Sequence, residues 1–151
     1  MPFDTERYHG NLDMYLDVLS EICLIRMKYA DISLSIIDGD FNTDLSRRIS
    51  LHTLALLYYL PREGLILCSQ STNDEILYTY ENSFTGAQSI IDYLIVSESL
   101  SGDVHRYCAI HEEDNLSDHC PIITNTEMNS KYDHSQIILF RRKISWSKAK
   151  N

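Results

Sequence analysis

Ser35-Ile36-Ile37-Asp38-Gly39-Asp40-Phe41-Asn42 is the stretch around which the rest of the chain is organised. Leu34 to Ile37 is short, apolar and rich in β-branched residues, the pattern of a buried strand. The strand runs into Gly39, which accepts backbone angles that other residues avoid. Asp40 and Asn42 follow, two residues apart, so an extended chain would point both to the same side. A strand end carrying a carboxylate and an amide on one side is where an α/β protein places a site for metal, phosphate or water. The same residues also suit a plain turn, since Asp, Gly and Asn dominate turns for conformational reasons.

Before this strand, Asn11 to Tyr29 has helical spacing, with Leu12, Leu16, Leu19, Cys23 and Arg26 or Met27 on one face and Asn11 as the expected N-cap. After it, a second helix is predicted over Asp44 to Leu60, with Leu45, Ile49, Leu54, Leu57 and Tyr58 as apolar positions and Pro61 and Gly64 as stops. Gly64 to Cys68 then reads as a short strand. The period changes beyond residue 75, where Glu75 to Tyr80, Ile90 to Val96 and Val104 to His111 each read as strands. An acidic loop, residues 112–117, leads to Asp118-His119-Cys120-Pro121-Ile122-Ile123. Ile137 to Phe140 is a last strand candidate. Helix, strand, helix and then several strands predict an α/β layered fold with a mixed sheet and flanking helices.

At 151 residues the chain is one domain or less. No apolar run approaches a membrane span, and the N-terminus lacks the basic-then-apolar signature of a secretory signal. Cys23, Cys68, Cys108 and Cys120 are widely spaced in apolar contexts, neither a zinc pattern nor a disulfide framework, and are expected to be reduced. An intracellular protein, nuclear or cytoplasmic and not secreted, is the expectation. Asn115-Leu116-Ser117 matches a glycosylation acceptor, which means little without a secretory route. From Lys131 onward there are six basic residues and one acid, or +5, which leaves −14 of the net −9 in residues 1–130. Such an acidic body does not bind nucleic acid by bulk attraction, although a bound divalent cation would reverse the local sign.

Two further sites resemble the first in kind. Asp92 is a charge inside the apolar run Ile90-Ile91-Asp92-Tyr93-Leu94-Ile95-Val96, and a buried carboxylate needs a partner. Asp118-His119 stands at another strand edge, and a carboxylate that orients a His is standard acid/base equipment. Each has a plain reading as well, a satisfied buried group and a surface turn respectively.

Together and in this order, Gly39-Asp40-Phe41-Asn42, Ser89-Ile90-Ile91-Asp92-Tyr93 and Ser117-Asp118-His119-Cys120-Pro121 resemble the endonuclease/exonuclease/phosphatase superfamily. They are most similar to the apurinic-endonuclease-like domain of non-LTR (LINE-type) retrotransposons. Tyr78-Thr79-Tyr80 matches that family's Thr-aromatic element, and Arg142 to Ala149 looks like its link to a reverse transcriptase. The resemblance implies the C-terminal half of a four-layer, DNase I-like α/β sandwich. It divides the chain into a partial domain over residues 1–125 and a polar, basic tail or linker over 126–151. It implies Mg²⁺-dependent (Mn²⁺ as the alternative) hydrolysis of a phosphodiester in DNA, with the activity of this chain expected to be weakened or lost for want of the family's first half. Asp40 would orient or deprotonate water, Asn42 would hold the phosphate, and Asp92 would orient His119. His119 would stabilise the phosphate's developing charge, Asp118 would sit at the metal, and Thr79 and Tyr80 would pack on DNA.

The family's first half also carries an Asn and a metal-binding Glu, and no residue upstream of Asp40 matches either. The implied partners are therefore DNA, a missing N-terminal half and a reverse-transcriptase domain, with no membrane. Asp38 stands where a small residue is usual and adds a like charge near Asp40. The alternative is a non-catalytic retrotransposon remnant or DNA-binding fragment, with a phosphatase of the same superfamily ranked below it.

Overall fold

A computed structural model describes residues 9–29, 34–47, 50–72, 74–112 and 115–127. Helix α1 spans His9–Lys28, strand β1 Ile36–Asp40, helix α2 Leu51–Arg62 and β2 Leu65–Leu67. Two short strands follow, β3 (Tyr80–Glu81) and β4 (Gln88–Ser89), then β5 (Asp92–Ser97), β6 (Val104–Ala109) and β7 (Ile122–Thr126). The strands form a three-stranded sheet in the order β1-β5-β2 and two pairs, β3-β4 and β6-β7. Every named pair is antiparallel, so the described residues make an α/β fold of helices on antiparallel sheets in place of the expected mixed sheet.

The central strand explains the layering. Successive side chains of β5 point to opposite faces. Tyr93 and Ile95 join Leu19, Leu56, Leu60, Leu65 and Leu67 in one core beneath the two helices. Val96 joins Cys68, Leu100, Val104 and Tyr107 in a second, with Leu94 and Ile122 packed against it. The β1-β5-β2 sheet therefore separates two small cores, and Asp92 shares the face of the second.

Several boundaries moved for local reasons. Asn11 lies inside α1 and does not cap it. Helix α2 starts at Leu51, not Asp44. The Asp44 carboxylate accepts from the Ser46 N–H (2.9 Å) and hydroxyl (2.6 Å), a local turn that competes with helix. Ser50 is the cap, its hydroxyl accepting from the Thr53 N–H at 3.3 Å. Ile49 lies outside the described residues. Pro61 sits in the last turn of α2 without ending it, and Gly64 turns the chain at φ +62°.

Residues 74–78 pair with no strand, and Asp74 instead accepts from the Tyr107 N–H at 2.9 Å. The paired body continues past the expected boundary at 125. β7 reaches Thr126, and the Glu127 N–H donates to the Asp103 carbonyl at 2.9 Å. The strand expected at 137–140 and most of the tail lie outside the described residues. All four cysteines are unbridged, and only Cys68 is fully buried. Among the described residues no helix is long and apolar enough to cross a membrane.

Arg26 of α1 reaches the Glu63 carboxylate at 3.4 Å and the Ser35 hydroxyl at 3.3 Å. The Ser35 N–H donates to the Ser97 hydroxyl at 2.7 Å, and the Ser97 N–H returns to the Ser35 carbonyl at 2.9 Å. These bonds fix where the chain enters β1 and hence where β1 ends.

Leu56 is wholly buried between the helices and the sheet, whereas Leu54 is 52% exposed. Leu56→Ala is expected to destabilise the fold by about 2–5 kcal/mol through lost burial and the cavity left behind. Leu54→Ala is expected to stay within about 0.5 kcal/mol. Urea unfolding followed by circular dichroism checks both.

Candidate active site

Strands β1 and β5 end together, with Asp40 directly opposite Asp92 in the ladder. Cross-strand partners project from the same face, so the two carboxylates are neighbours there. Past Asp40 the chain turns sharply. Gly39 has φ +152°, where a side chain would be strained, and Asn42 has φ +50°, a left-handed conformation that Asn tolerates better than most residues. The turn is closed by Asp40. One carboxylate oxygen accepts from the Asn42 N–H at 2.7 Å and the other from the Asn42 amide at 3.0 Å. The Phe41 N–H donates to the Ile91 carbonyl at 2.8 Å, which keeps this turn against the start of β5. Asp38 is exposed and stands opposite Leu94, one side-chain repeat back from Asp40.

His119 arrives from a different part of the chain. Its Nδ1 lies 3.0 and 3.2 Å from the two oxygens of Asp92. A carboxylate only accepts, so this contact selects the tautomer with the proton on Nδ1 and leaves Nε2 for an outside group. Asp92 retains 17% of its side-chain exposure and His119 38%, an arrangement covered from behind and open in front. The Tyr80 ring meets the His119 ring edge-on at 5.0 Å.

The loop that carries His119 is pinned at many points. The Asn115 side-chain amide donates to the His119 carbonyl at 2.8 Å, and the Ser117 hydroxyl accepts from the His119 N–H at 3.1 Å. The Ile110 N–H donates to the Pro121 carbonyl at 2.8 Å, and the Cys120 sulfur sits 3.3 Å from His111 Nδ1. The triplet that matches a glycosylation acceptor thus uses its Asn and Ser side chains on the His119 backbone.

The electrostatics of Asp40 follow from this crowding. The residue presents surface to solvent, yet desolvation of its carboxyl is the largest influence on it and raises its pKa. The Asn42 N–H opposes that shift, the Asp92 charge adds to it, and His119 opposes it. Asp40 is therefore a stronger base than a free aspartate. Because its neutral form is favoured by folding, its ionisation costs stability. That cost is absent below the ordinary carboxylate range and grows as pH rises through the raised pKa.

Asp40, Asn42, Asp92 and His119 are thus brought into one place, with Tyr80 beside them. Thr79 is not on that surface. It is wholly buried, so the expectation that it packs on DNA is corrected. Asp118 is exposed, and its carbonyl accepts from the Glu81 N–H at 2.8 Å. Among the described residues no group of three or more His, Cys, Asp or Glu could hold a metal ion. These residues do not fit a metal centre by themselves.

The sequence places Tyr93 in the Ser89–Tyr93 motif without assigning it a role. Its hydroxyl donates to the Ile90 carbonyl at 2.7 Å and accepts from the Leu45 N–H at 3.1 Å, tying the Asp40–Asn42 turn to β5. Burial holds this phenol well above its usual pKa. The strand alternation places Tyr93 on the helix face, away from Asp92, so spacing alone carried no sign of it.

No family model matches the chain, and no curated protein matches it. Among solved structures it is similar to an endonuclease/exonuclease/phosphatase family protein from Leptotrichia buccalis C-1013-b, at 23% identity and a TM-score of 0.48. The match covers 63% of this chain and 35% of that one, so the chain spans about a third of the neighbour's length.

Asp92→Asn removes a charge that raises the Asp40 pKa, so the Asp40 carboxyl should titrate at lower pH in that variant. Carbon-13 NMR of the Asp40 carboxyl reads the shift directly, and an unchanged or higher midpoint would show that the two carboxylates are not coupled.

Proposed function

We propose that this chain carries the catalytic face of a hydrolase that cleaves phosphodiester bonds in DNA, of the endonuclease/exonuclease/phosphatase type. The observation that carries the reading is the convergence of the Asp40–Asn42 turn and the Asp92–His119 pair on one face at one end of the β1-β5 ladder. In-line attack of water on a phosphodiester needs a base on the water, donors for the phosphate oxygens and relief of developing negative charge. Asp40, made more basic by its surroundings, would accept the water's proton. Asn42 has two amide protons. One is used on Asp40, which leaves the other for a phosphate oxygen. Asp92 would hold the His119 ring so that Nε2 meets the phosphate.

The three motifs support the retrotransposon branch and, with it, a four-layer sandwich of which this chain supplies one part, together with a nuclear or cytoplasmic site of action. A requirement for Mg²⁺, with Asp118 among its ligands, belongs to the same proposal and rests on the resemblance.

Two exposed apolar side chains favour a nucleic acid over a small phosphoester. Phe84, 96% exposed, is in the turn that joins β3 to β4. That hairpin starts at Tyr80, which touches His119. Leu116, fully exposed, precedes Asp118-His119 on the neighbouring loop. Exposed aromatic rings at such sites stack on bases for about 1–3 kcal/mol each.

Supercoiled plasmid nicking by the 151-residue chain tests the reading, with Mg²⁺ and with EDTA. Nicking is expected with the cation and is expected to stop in EDTA. Asp40→Ala and His119→Ala are each expected to lower the rate by roughly 10²-fold or more. Hydrolysis of inositol phosphates in preference to abasic duplex DNA would move the assignment to a phosphatase. Salt-dependent DNA retention without cleavage would move it to a binding fragment.

Phe84→Ala is expected to weaken binding of a duplex with unpaired bases roughly ten-fold, within the stacking range above, with no loss of fold. Fluorescence anisotropy of a labelled gapped duplex reads the change. Unchanged affinity would remove the hairpin tip from the DNA surface.

A further inference from the structure

Thr79 connects the two halves of the candidate site. It is wholly buried. Its hydroxyl oxygen accepts from two consecutive backbone amides, Ile91 and Asp92, each at 3.0 Å. Its own N–H donates to the Ser89 carbonyl at 3.0 Å, and its carbonyl accepts from the Cys120 N–H at 2.7 Å. One residue therefore grips the chain immediately before and at Asp92, and also the residue immediately after His119.

The two amides need that oxygen. Ile91 lies outside the β5 ladder, and its carbonyl is taken by the Phe41 N–H on the other side. A hydroxyl with two lone pairs is a side chain that can receive both N–H groups at one point. Its β-branch restricts rotation about the Cα–Cβ bond, so the oxygen stays where the backbone puts it.

We propose that Thr79 is the positioning residue of the Asp92–His119 pair. Its hydroxyl sets where Asp92 begins β5, and its carbonyl sets where the segment bearing His119 lies against it. The 3.0 Å contact between Asp92 and His119 is then spanned by a single side chain and its own peptide group. The catalytic consequence rests on the hydrolase reading above, but the effect on His119 geometry does not.

The test compares Thr79→Val, which keeps the shape and removes the oxygen, with Thr79→Ser, which keeps the oxygen. The first readout is the His119 imidazole by proton and nitrogen-15 NMR at one fixed pH, where an Nδ1 proton bonded to Asp92 gives a downfield signal. That signal is expected in the wild-type chain and in Thr79→Ser, and is expected to be lost in Thr79→Val as it is in Asp92→Asn. The second readout is plasmid nicking. A misplacement of about 1 Å costs roughly 10²-fold, so Thr79→Val is expected to lose about that factor in kcat with KM little changed, and Thr79→Ser only a few-fold.

A folded Thr79→Val chain that keeps the wild-type signal and rate would overturn the proposal. If that variant does not fold, Thr79→Cys is read the same way, because sulfur is a weak acceptor. A signal unchanged there would also overturn it. A wild-type chain that shows the signal and its loss in Thr79→Val, yet never nicks DNA, would refute the hydrolase reading and leave the positioning role standing.

Discussion

The start of β5 is held from both sides, and the rest of the site depends on it. On one side the Ile91 carbonyl receives the Phe41 N–H, and Asp92 lies opposite Asp40 in the ladder. On the other, the Ile91 and Asp92 amides are taken by the Thr79 hydroxyl. Tyr93 adds a third tie, from Ile90 to the turn that follows Asn42. A strand end is ordinarily where pairing frays. Here the Ile91 carbonyl and the Ile91 and Asp92 amides each have a partner from a different segment, so four distant stretches of sequence meet at one point.

That design keeps chemistry and packing apart. The helices bury one face of the sheet, with Tyr93 and Ile95 among them. The opposite face carries Asp92 at its end and the second core further along. The charged groups are grouped where burial is incomplete, since His119 and Asp92 remain partly exposed. Asp40 shows the cost of the arrangement. Desolvation raises its pKa, and its neighbour Asp92 raises it further, so the group best placed to accept a proton is also one whose charge the fold disfavours.

Much of this was legible in the sequence. The β-branched run before Gly39, the charge inside Ile90 to Val96 and the Asp-His at a strand edge each told of a side chain at a strand end. The structure gathers Asp40, Asn42, Asp92 and His119 accordingly. What was not legible depends on tertiary contacts. The resemblance puts Thr79 on DNA, and its place in the predicted strand 75–80 does not say which way its hydroxyl points. Only the two amides of Ile91 and Asp92 reveal why it is buried. The apolar spacing of Leu45 extends the helical pattern back to Asp44, while the Asp44 turn and the Ser50 cap overrule it locally. The pinning of His119 by Asn115 and Ser117 was hidden behind a motif that reads as something else. Asp118 was placed at a metal by resemblance, and the described residues assemble no metal-binding group around it.

The central claim is that Asp92 and His119 act as one hydrolytic unit. A double-mutant cycle on plasmid nicking, using Asp92→Asn, His119→Ala and the two combined, tests it most directly. Residues that work as a unit give strongly non-additive losses. The double variant is then expected to be no slower than His119→Ala alone. Losses that multiply, or a wild-type chain with no turnover to lose, would contradict it.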